Sequence, residues 1–293
     1  MTGRVSVAEI SADLGARAES FCRAYFSEGC RQGDYWQVGD TSGAAGRSLV
    51  IRLQAQDGRK AGGWIDYATG EFGDLIDLLH AKLGSTSLKE PFESEFDLPI
   101  KFVNDANAFA LGHQHLVEGT DYIVLTLGTG LGSGIITQGK LLLGPNSMAG
   151  EAGHIPIDQG RTCACGGIGH WEAYIGSYGL IETANKYNLK INKPKELFDL
   201  ADSGDPNALN SFKEYGQDLG RGCAVLVSLF CPDIIFVAGG IAQAEKFFLN
   251  DALEEMNKNT FSTFKNTSEL KLSPLSASTA GILGPAVLFQ DVF

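Results

Sequence analysis

DYIVLTLGTGLGSGIITQGKLLLG, residues 121–144, decides the fold. Residues 122–127 are almost wholly β-branched or apolar and read as a buried strand. Gly128, Thr129, Gly130, Leu131 and Gly132 follow, then Ile135 and Ile136, then a Gln-Gly turn. The pattern is strand, glycine loop, strand. Glycines let backbone N–H groups approach an anion closely, and Thr129 adds a hydroxyl donor. A plain glycine-rich hairpin fits the same letters. Walker and Rossmann loops differ, because both lead into a helix.

Upstream lies LPIKFVNDANAFALGHQHL, residues 98–116. The apolar run over residues 100–103 reads as a short strand, and Asp105 and Ala106 open a helical pattern. Asp105 therefore sits at a helix N-terminus, where two roles are open to it. It is either an N-cap or a carboxylate aimed into a cleft from the end of a strand, where α/β sheets place their ligands. The positive end of the helix dipole favours an anion there in either case.

Downstream, GEAGHIPIDQGRTCACGGIGHWEAY spans residues 150–174. His154, Cys163, Cys165 and His170 fall within one short glycine-rich stretch, and two thiolates with two imidazoles make a tetrahedral zinc set. Cys-Ala-Cys is too tight for an unstrained disulfide. Two free thiols beside unrelated histidines is the alternative. Four protein ligands leave no open position, so the zinc would be structural and would fix the loop carrying Glu151 and Glu172. Those acids are good acceptors for vicinal hydroxyls.

Further on, Asp205 and Pro206 begin a long helix, with Asp as cap and Pro in the first turn. Its apolar pattern is read through Leu209, Phe212, Leu219, Val225 and Leu229, and Pro232 ends it. Residues 234–238 are a fully apolar strand. Gly239 and Gly240 then turn into another helix, either as a tight strand–helix turn or as a flat surface for a ligand. Residues 278–289, STAGILGPAVLF, form a small-residue helix suited to close packing.

The motifs VNDANAFALG, TLGTGLGSGI, GPNSMAGEAGHI, CACGGIGHWEAY and VAGGIA occur in this order, and together they resemble the ROK family of sugar kinases over residues 88–293. The resemblance implies an α/β, actin-like ATPase fold of ribonuclease H type, here truncated in its N-terminal lobe and preceded by a small α+β segment. It implies phosphoryl transfer from ATP with Mg²⁺ to a hydroxyl of a hexose or N-acetylhexosamine, as in glucokinase-like and fructokinase-like members. Asp105 matches the catalytic base, where positioning matters most if the transition state is loose. Asn104, Glu151, His154 and Glu172 match sugar-binding groups, with one His154 nitrogen on zinc and the other facing the sugar. Gly128, Thr129 and Gly130 match a phosphate loop, and Gly239 and Gly240 an adenosine site. Members are often dimers or tetramers, so a homodimer is an open expectation. His170 stands where the family usually has a third cysteine. The family's opening Asp-x-Gly-Gly-Thr loop is missing; the nearest string is residues 39–46, and no apolar strand is read before it.

Residues 1–87 differ from the remainder. They hold seven Arg, two Lys and no Asn, against two Arg, twelve Lys and twelve Asn in residues 88–293. That contrast suggests two parts of different job or origin, joined near LGSTSLKEP at residues 83–91. GDYWQVGDTSGAAGRSLVIRL and GGWIDYATGEFGDLIDLL resemble N-terminal segments of phage and plasmid primase-helicase proteins. That implies a hairpin of residues 49–53 with 63–67 in a small zinc-ribbon-like sheet, and a helix from residues 73–79. Cys22 and Cys30 lack a matching second pair and read as half-buried thiols, and Trp36 and Trp64 read as core.

Composition bounds the function classes. A net charge of −12 opposes nucleic acid as a partner. No apolar run of about eighteen residues and no leader-like start are seen, so no membrane span is expected. Six unevenly spaced cysteines do not make a disulfide framework, and the chain reads as cytoplasmic. Three outcomes follow: an active sugar kinase, an inactive chimera that keeps sugar and zinc binding, or a DNA-replication accessory protein.

Overall fold

The computed structural model describes residues 15–56, 60–69, 72, 73, 75, 78, 101 and 103–289. The chain divides into two compact units, Met1–Phe102 and Val103–Phe293. The expected junction at residues 83–91 lies outside the described residues, as do most of the residues of the helix expected over 73–79.

The first unit is built from helix α1 (Ala18–Tyr25) and strands β1 (Cys30–Gln32), β2 (Tyr35–Val38), β3 (Leu49–Arg52), β4 (Trp64–Asp66) and β5 (Phe72–Gly73). The strands pair antiparallel in chain order. Alternation puts Leu49 and Ile51 inward and leaves Val50 and Arg52 half-buried. Phe21, Cys22 and Phe26 pack on Trp36, Val38, Ile51 and Trp64, and the Trp36 indole donates to Phe26 O at 3.1 Å. Two expectations change. An apolar strand does precede residues 39–46, because Trp36 and Val38 of β2 are buried; the intervening Gln37 broke its apolar run in the sequence. Cys22 is fully buried, which pushes its thiol up to about 12, whereas Cys30 is exposed; neither is half-buried.

The second unit holds a five-stranded mixed sheet in the order β10-β9-β6-β7-β8. β6 (Tyr122–Leu127), β7 (Leu131–Thr137) and β8 (Lys140–Leu141) form an antiparallel meander, and β9 (Ile234–Ala238) runs parallel to both β6 and β10 (Glu269–Leu272). The central strands are apolar on both faces because each face has its own core. Tyr122, Val124, Ile234 and Phe236 pack on one side with Phe109, Ala110 and Ala280. Ile123, Leu125, Ile235 and Val237 pack on the other with Trp171, Phe212, Tyr215 and Leu219. The result is an α/β/α layering.

Helices α2 (Asp105–Gly112) and α8 (Ala277–Val287) cover the first face. Their approach needs glycine. A Cβ on Gly284 would collide with Ala108 O, and one on Gly134 would lie 2.6 Å from Ala106 O. The second face carries α3 (Glu172–Ile175), α4 (Ser177–Lys186), α5 (Pro194–Asp202), α6 (Pro206–Phe230) and α7 (Leu249–Asn259). Asp205 caps α6 by accepting from Asn207 N and Ala208 N at 2.8 and 2.9 Å. The inward face of α6 is Ala208, Phe212, Tyr215, Leu219, Cys223 and Leu226; Leu209, Val225 and Leu229 are exposed, against the sequence reading. At about 100° per residue, Val225 lies about 240° round the helix from Leu219. No helix among the described residues is long and apolar enough to cross a membrane.

Candidate functional site

Strand β7 begins where the chain leaves the glycine loop, and its first three residues are met by three distant segments, two of them through hydrogen bonds. The Leu131 N–H donates to Glu172 Oε2 at 3.0 Å. Gly132 has room for no side chain, because a Cβ would sit 2.9 Å from Ala106 Cβ, next to Asp105. The Ser133 hydroxyl donates to Gly150 O and accepts from Ala152 N at 3.1 Å, so it holds both neighbours of Glu151. Glu172 and the neighbours of Glu151 are thus bonded to one short stretch of strand, against which Ala106, the residue after Asp105, packs.

At the start of α2 the cap is Asn104 rather than Asp105. Asn104 Oδ1 accepts from Ala106 N at 3.0 Å and Asn107 N at 3.2 Å. Asp105 is the first helical residue and is exposed, as is Asn104. Asp105 Oδ1 also accepts the Ala106 N–H, at 2.8 Å, so its carboxylate is held at the helix start through that oxygen.

The loop of Gly128, Thr129 and Gly130 closes the β6–β7 hairpin, with Gly128 N donating to Gly130 O at 3.1 Å. Nothing lies within 4 Å of a Cβ built on Gly128, whereas one on Gly130 would collide with the Glu172 carboxylate. Ser177, at the start of α4, donates its hydroxyl to Gly128 O at 2.7 Å. Ser133 and Ser177 were not singled out in the sequence; each is a lone serine whose role is set by tertiary placement.

His154, Cys163, Cys165 and His170 come together, with one ligand atom from each all within 4.8 Å of one another. Cys163 Sγ is 3.9 Å from His154 Nδ1, and Cys165 Sγ is 3.1 Å from His170 Nδ1. Zinc bonds of about 2.0–2.3 Å set at tetrahedral angles need donor separations of roughly 3.5 Å, so the donor set fits zinc. Gly167 lets the His170 ring lie on the loop, since a Cβ there would collide with the imidazole. Burial pushes the Cys163 thiol above its ordinary range.

Gly239 and Gly240 separate into two roles. Gly239 has φ +96° and a Cβ there would collide with the Leu127 carbonyl, so it is required by the close approach of β9 and β6. Gly240 is open and borders a cavity of about 270 Å³ walled by Pro194, Phe198, Phe212, Ile241 and Gln243. That is a little below the roughly 300–1,000 Å³ of drug-sized pockets. Those wall residues were not found from sequence, because they come from three separate helical segments.

This layering and this site define a ribonuclease H-like α/β domain of the actin-like ATPase class. A model of the ROK family matches residues 74–292, and the chain belongs to that family. A glucokinase of Thermotoga maritima is 35% identical over 206 residues, covering 64% of this chain and 65% of the glucokinase. A xylose repressor of Bacillus subtilis is 28% identical over 210 residues, covering 70% of this chain and 54% of the repressor. A crystal structure of a ROK family glucokinase from Streptomyces griseus, in complex with glucose and AMPPNP, superposes with a TM-score of 0.61 at 31% identity, over 69% of this chain and 72% of that one. The chain spans 54% to 65% of the length of those two curated relatives.

Proposed function

We propose that this chain transfers a phosphoryl group from ATP to a hydroxyl of a hexose or N-acetylhexosamine. The supporting observation is that Glu172 and both neighbours of Glu151 are bonded to Leu131 and Ser133, directly after the glycine loop, while Ala106, next to Asp105, packs on Gly132 between them. Asp105 accepts the proton of the attacking hydroxyl. Asn104, Glu151 and His154 orient the ring. Glu172 adds to them, because a carboxylate has about four lone-pair sites and two, to Leu131 N and Cys163 Sγ, are used among the described residues. His154 turns Nδ1 toward Cys163, which leaves Nε2 for the sugar. ATP with Mg²⁺ supplies the phosphoryl group, with Gly128, Thr129 and Gly130 at its phosphates and Gly240 at its adenosine. Zinc held by His154, Cys163, Cys165 and His170 fixes the loop between Glu151 and Glu172. Six unpaired cysteines suit a reducing cytoplasm.

A second reading, a sugar-binding protein without turnover, has its own observation. Asp40, in the string nearest to the missing phosphate loop, spends its Oδ1 on its own turn, accepting from Ser42 N at 2.9 Å, Ser42 Oγ at 2.5 Å and Ala44 N at 3.3 Å. These bonds hold its carboxyl below the usual range and occupy that oxygen within the turn. A coupled assay with glucose, fructose, N-acetylglucosamine and N-acetylmannosamine decides. Turnover that Asp105→Asn abolishes supports the kinase; sugar binding with no turnover supports the second reading. Residues 1–87, proposed as a separate primase-like α+β segment, would have to bind DNA in a salt-sensitive way for a replication role to stand.

A further inference from the structure

Residues 172–178 form an elbow between α3 and α4 that is attached at two places. One attachment is the cysteine–histidine cluster. Ala173 N donates to His170 O at 2.9 Å, so a cluster residue supplies the first turn of α3. The Tyr178 hydroxyl points at Cys163 Sγ at 3.8 Å, a bond that a zinc thiolate keeps, whereas the 3.5 Å contact of the Cys163 thiol with Glu172 Oε1 exists only with the thiol protonated, in the metal-free form. The other attachment is the glycine loop. Glu172 Oε2 takes the Leu131 N–H at 3.0 Å, and the Ser177 hydroxyl donates to Gly128 O at 2.7 Å. Ser177 N donates to Gly128 O at 2.9 Å and to Thr129 O at 3.2 Å.

There is no slack between elbow and loop. A Cβ on Gly176 would lie 2.7 Å from Thr129 O, and one on Gly130 would meet the Glu172 carboxylate. Close-packed contacts pass a displacement on rather than absorb it. A loop that receives phosphate on its backbone must be held in shape before the ligand arrives, or binding bears the ordering entropy.

Resting on the kinase reading, we propose that Glu172 and Ser177 are positioning residues for the glycine loop, and that metal occupancy of the His154–Cys163–Cys165–His170 cluster sets the loop's affinity for nucleotide phosphates through them. The metal then acts on the nucleotide side of the site as well as on the sugar side.

The test uses the full chain, zinc-loaded and chelator-treated, as wild type, Ser177→Ala and Glu172→Ala. Hydrogen exchange at Gly128, Gly130 and Leu131 reads the loop without any nucleotide. Removing zinc, or making Glu172→Ala, is expected to speed Leu131 exchange about tenfold, and the two together no further, because they act along one route. By calorimetry, AMPPNP affinity is expected to fall about tenfold on zinc removal and by a similar factor in zinc-loaded Ser177→Ala, whose glucose affinity stays unchanged. Equal exchange in both metal states of a protein with unchanged circular dichroism overturns the proposal, as do fully additive effects of zinc removal and Glu172→Ala. If chelation unfolds the domain, zinc- and cadmium-loaded forms are compared instead, and identical loop exchange overturns it. AMPPNP binding to no form, with loop exchange still responding to the metal, sinks the kinase reading and upholds the coupling.

Discussion

Glu172 and Leu131, 41 residues apart in the chain, are joined by a 3.0 Å bond from the Leu131 N–H to Glu172 Oε2. The same carboxylate reaches Cys163 through its other oxygen. A hydrogen bond to a charged group contributes about 1.5–3 kcal/mol, enough to choose between loop conformations that differ by less. The glycine loop and the cysteine–histidine cluster therefore meet at the Glu172 side chain.

Ser133 gives the first prediction. Its hydroxyl serves Gly150 O and Ala152 N together, and the residue is buried. Ser133→Ala removes both bonds but leaves Ala152 N donating to Gly150 O at 2.8 Å, so the cost is that of ordinary hydrogen bonds, about 0.5–1.5 kcal/mol. Chemical denaturation should show that loss. Glucose affinity should fall about tenfold, since 1.4 kcal/mol of lost positioning of Glu151 is one decade.

Asp105→Asn tests the base. Asn104 still caps α2, so the helix and the fold should be unchanged by circular dichroism. Removing a positioned general base lowers turnover by about 10²–10⁴, while sugar affinity changes little. A variant that keeps more than about a tenth of wild-type turnover would remove Asp105 from that role.

Purified protein should carry one zinc per chain. Cys163 is the buried member of the cluster, at 2% exposure, so Cys163→Ser removes a ligand that water replaces poorly. Metal analysis should show most of the zinc lost, with a melting point lower by about 5 °C or more. A zinc-free wild type with an unaltered melting curve would end the zinc assignment.

How much of this could be read from the chain depended on distance in sequence. The β6–β7 hairpin, the Asp205 cap and the four cluster residues were legible, because strand alternation, capping and ligand spacing are local signals. Asn104 and Asp105 are both competent caps, and only the extended backbone of Asn104 (φ −60°, ψ 147°) decides between them. Leu209, Val225 and Leu229 were misread as core because apolar letters alone do not give the angle round a helix. Ser133, Ser177 and the cavity wall at Gly240 were invisible, since their partners lie far along the chain.

Asp218 sets a pH dependence. It is buried beside Arg221, whose Nη1 donates to Oδ1 at 2.6 Å. Burial raises its carboxyl to about 6; Arg221 and Arg161 oppose that shift, and Glu214 and Asp158 add to it. The folded protein therefore holds this proton more tightly than the unfolded chain does. The resulting stability is complete below about pH 4 and is lost as pH rises through about 6, by about 3 kcal/mol at most. Asp218→Asn should flatten the difference in unfolding free energy between pH 4 and 7 relative to wild type. Equal slopes in the two proteins would show that the carboxyl titrates normally.

The α2–α8 contact offers a matched pair of substitutions on one helix. Gly284 faces Ala108 so closely that a Cβ would collide with its carbonyl, and backbone cannot swing aside as a side chain can. Gly281 lies on the same helix with nothing among the described residues within 4 Å of a Cβ. Alanine is intrinsically better than glycine in a helix by about 0.8–1.0 kcal/mol, and both sites share that gain. At Gly281 nothing opposes it, so Gly281→Ala should stabilise by about 0.5–1 kcal/mol. At Gly284 the helices must separate, and overpacking of this kind costs about 1–3 kcal/mol, so Gly284→Ala should destabilise on balance. Because α2 carries Asp105 at its first position, that separation also shifts the carboxylate, and Gly284→Ala should lower turnover while Gly281→Ala does not. Equal melting points for the two variants would mean that the helices are not in glycine-dependent contact.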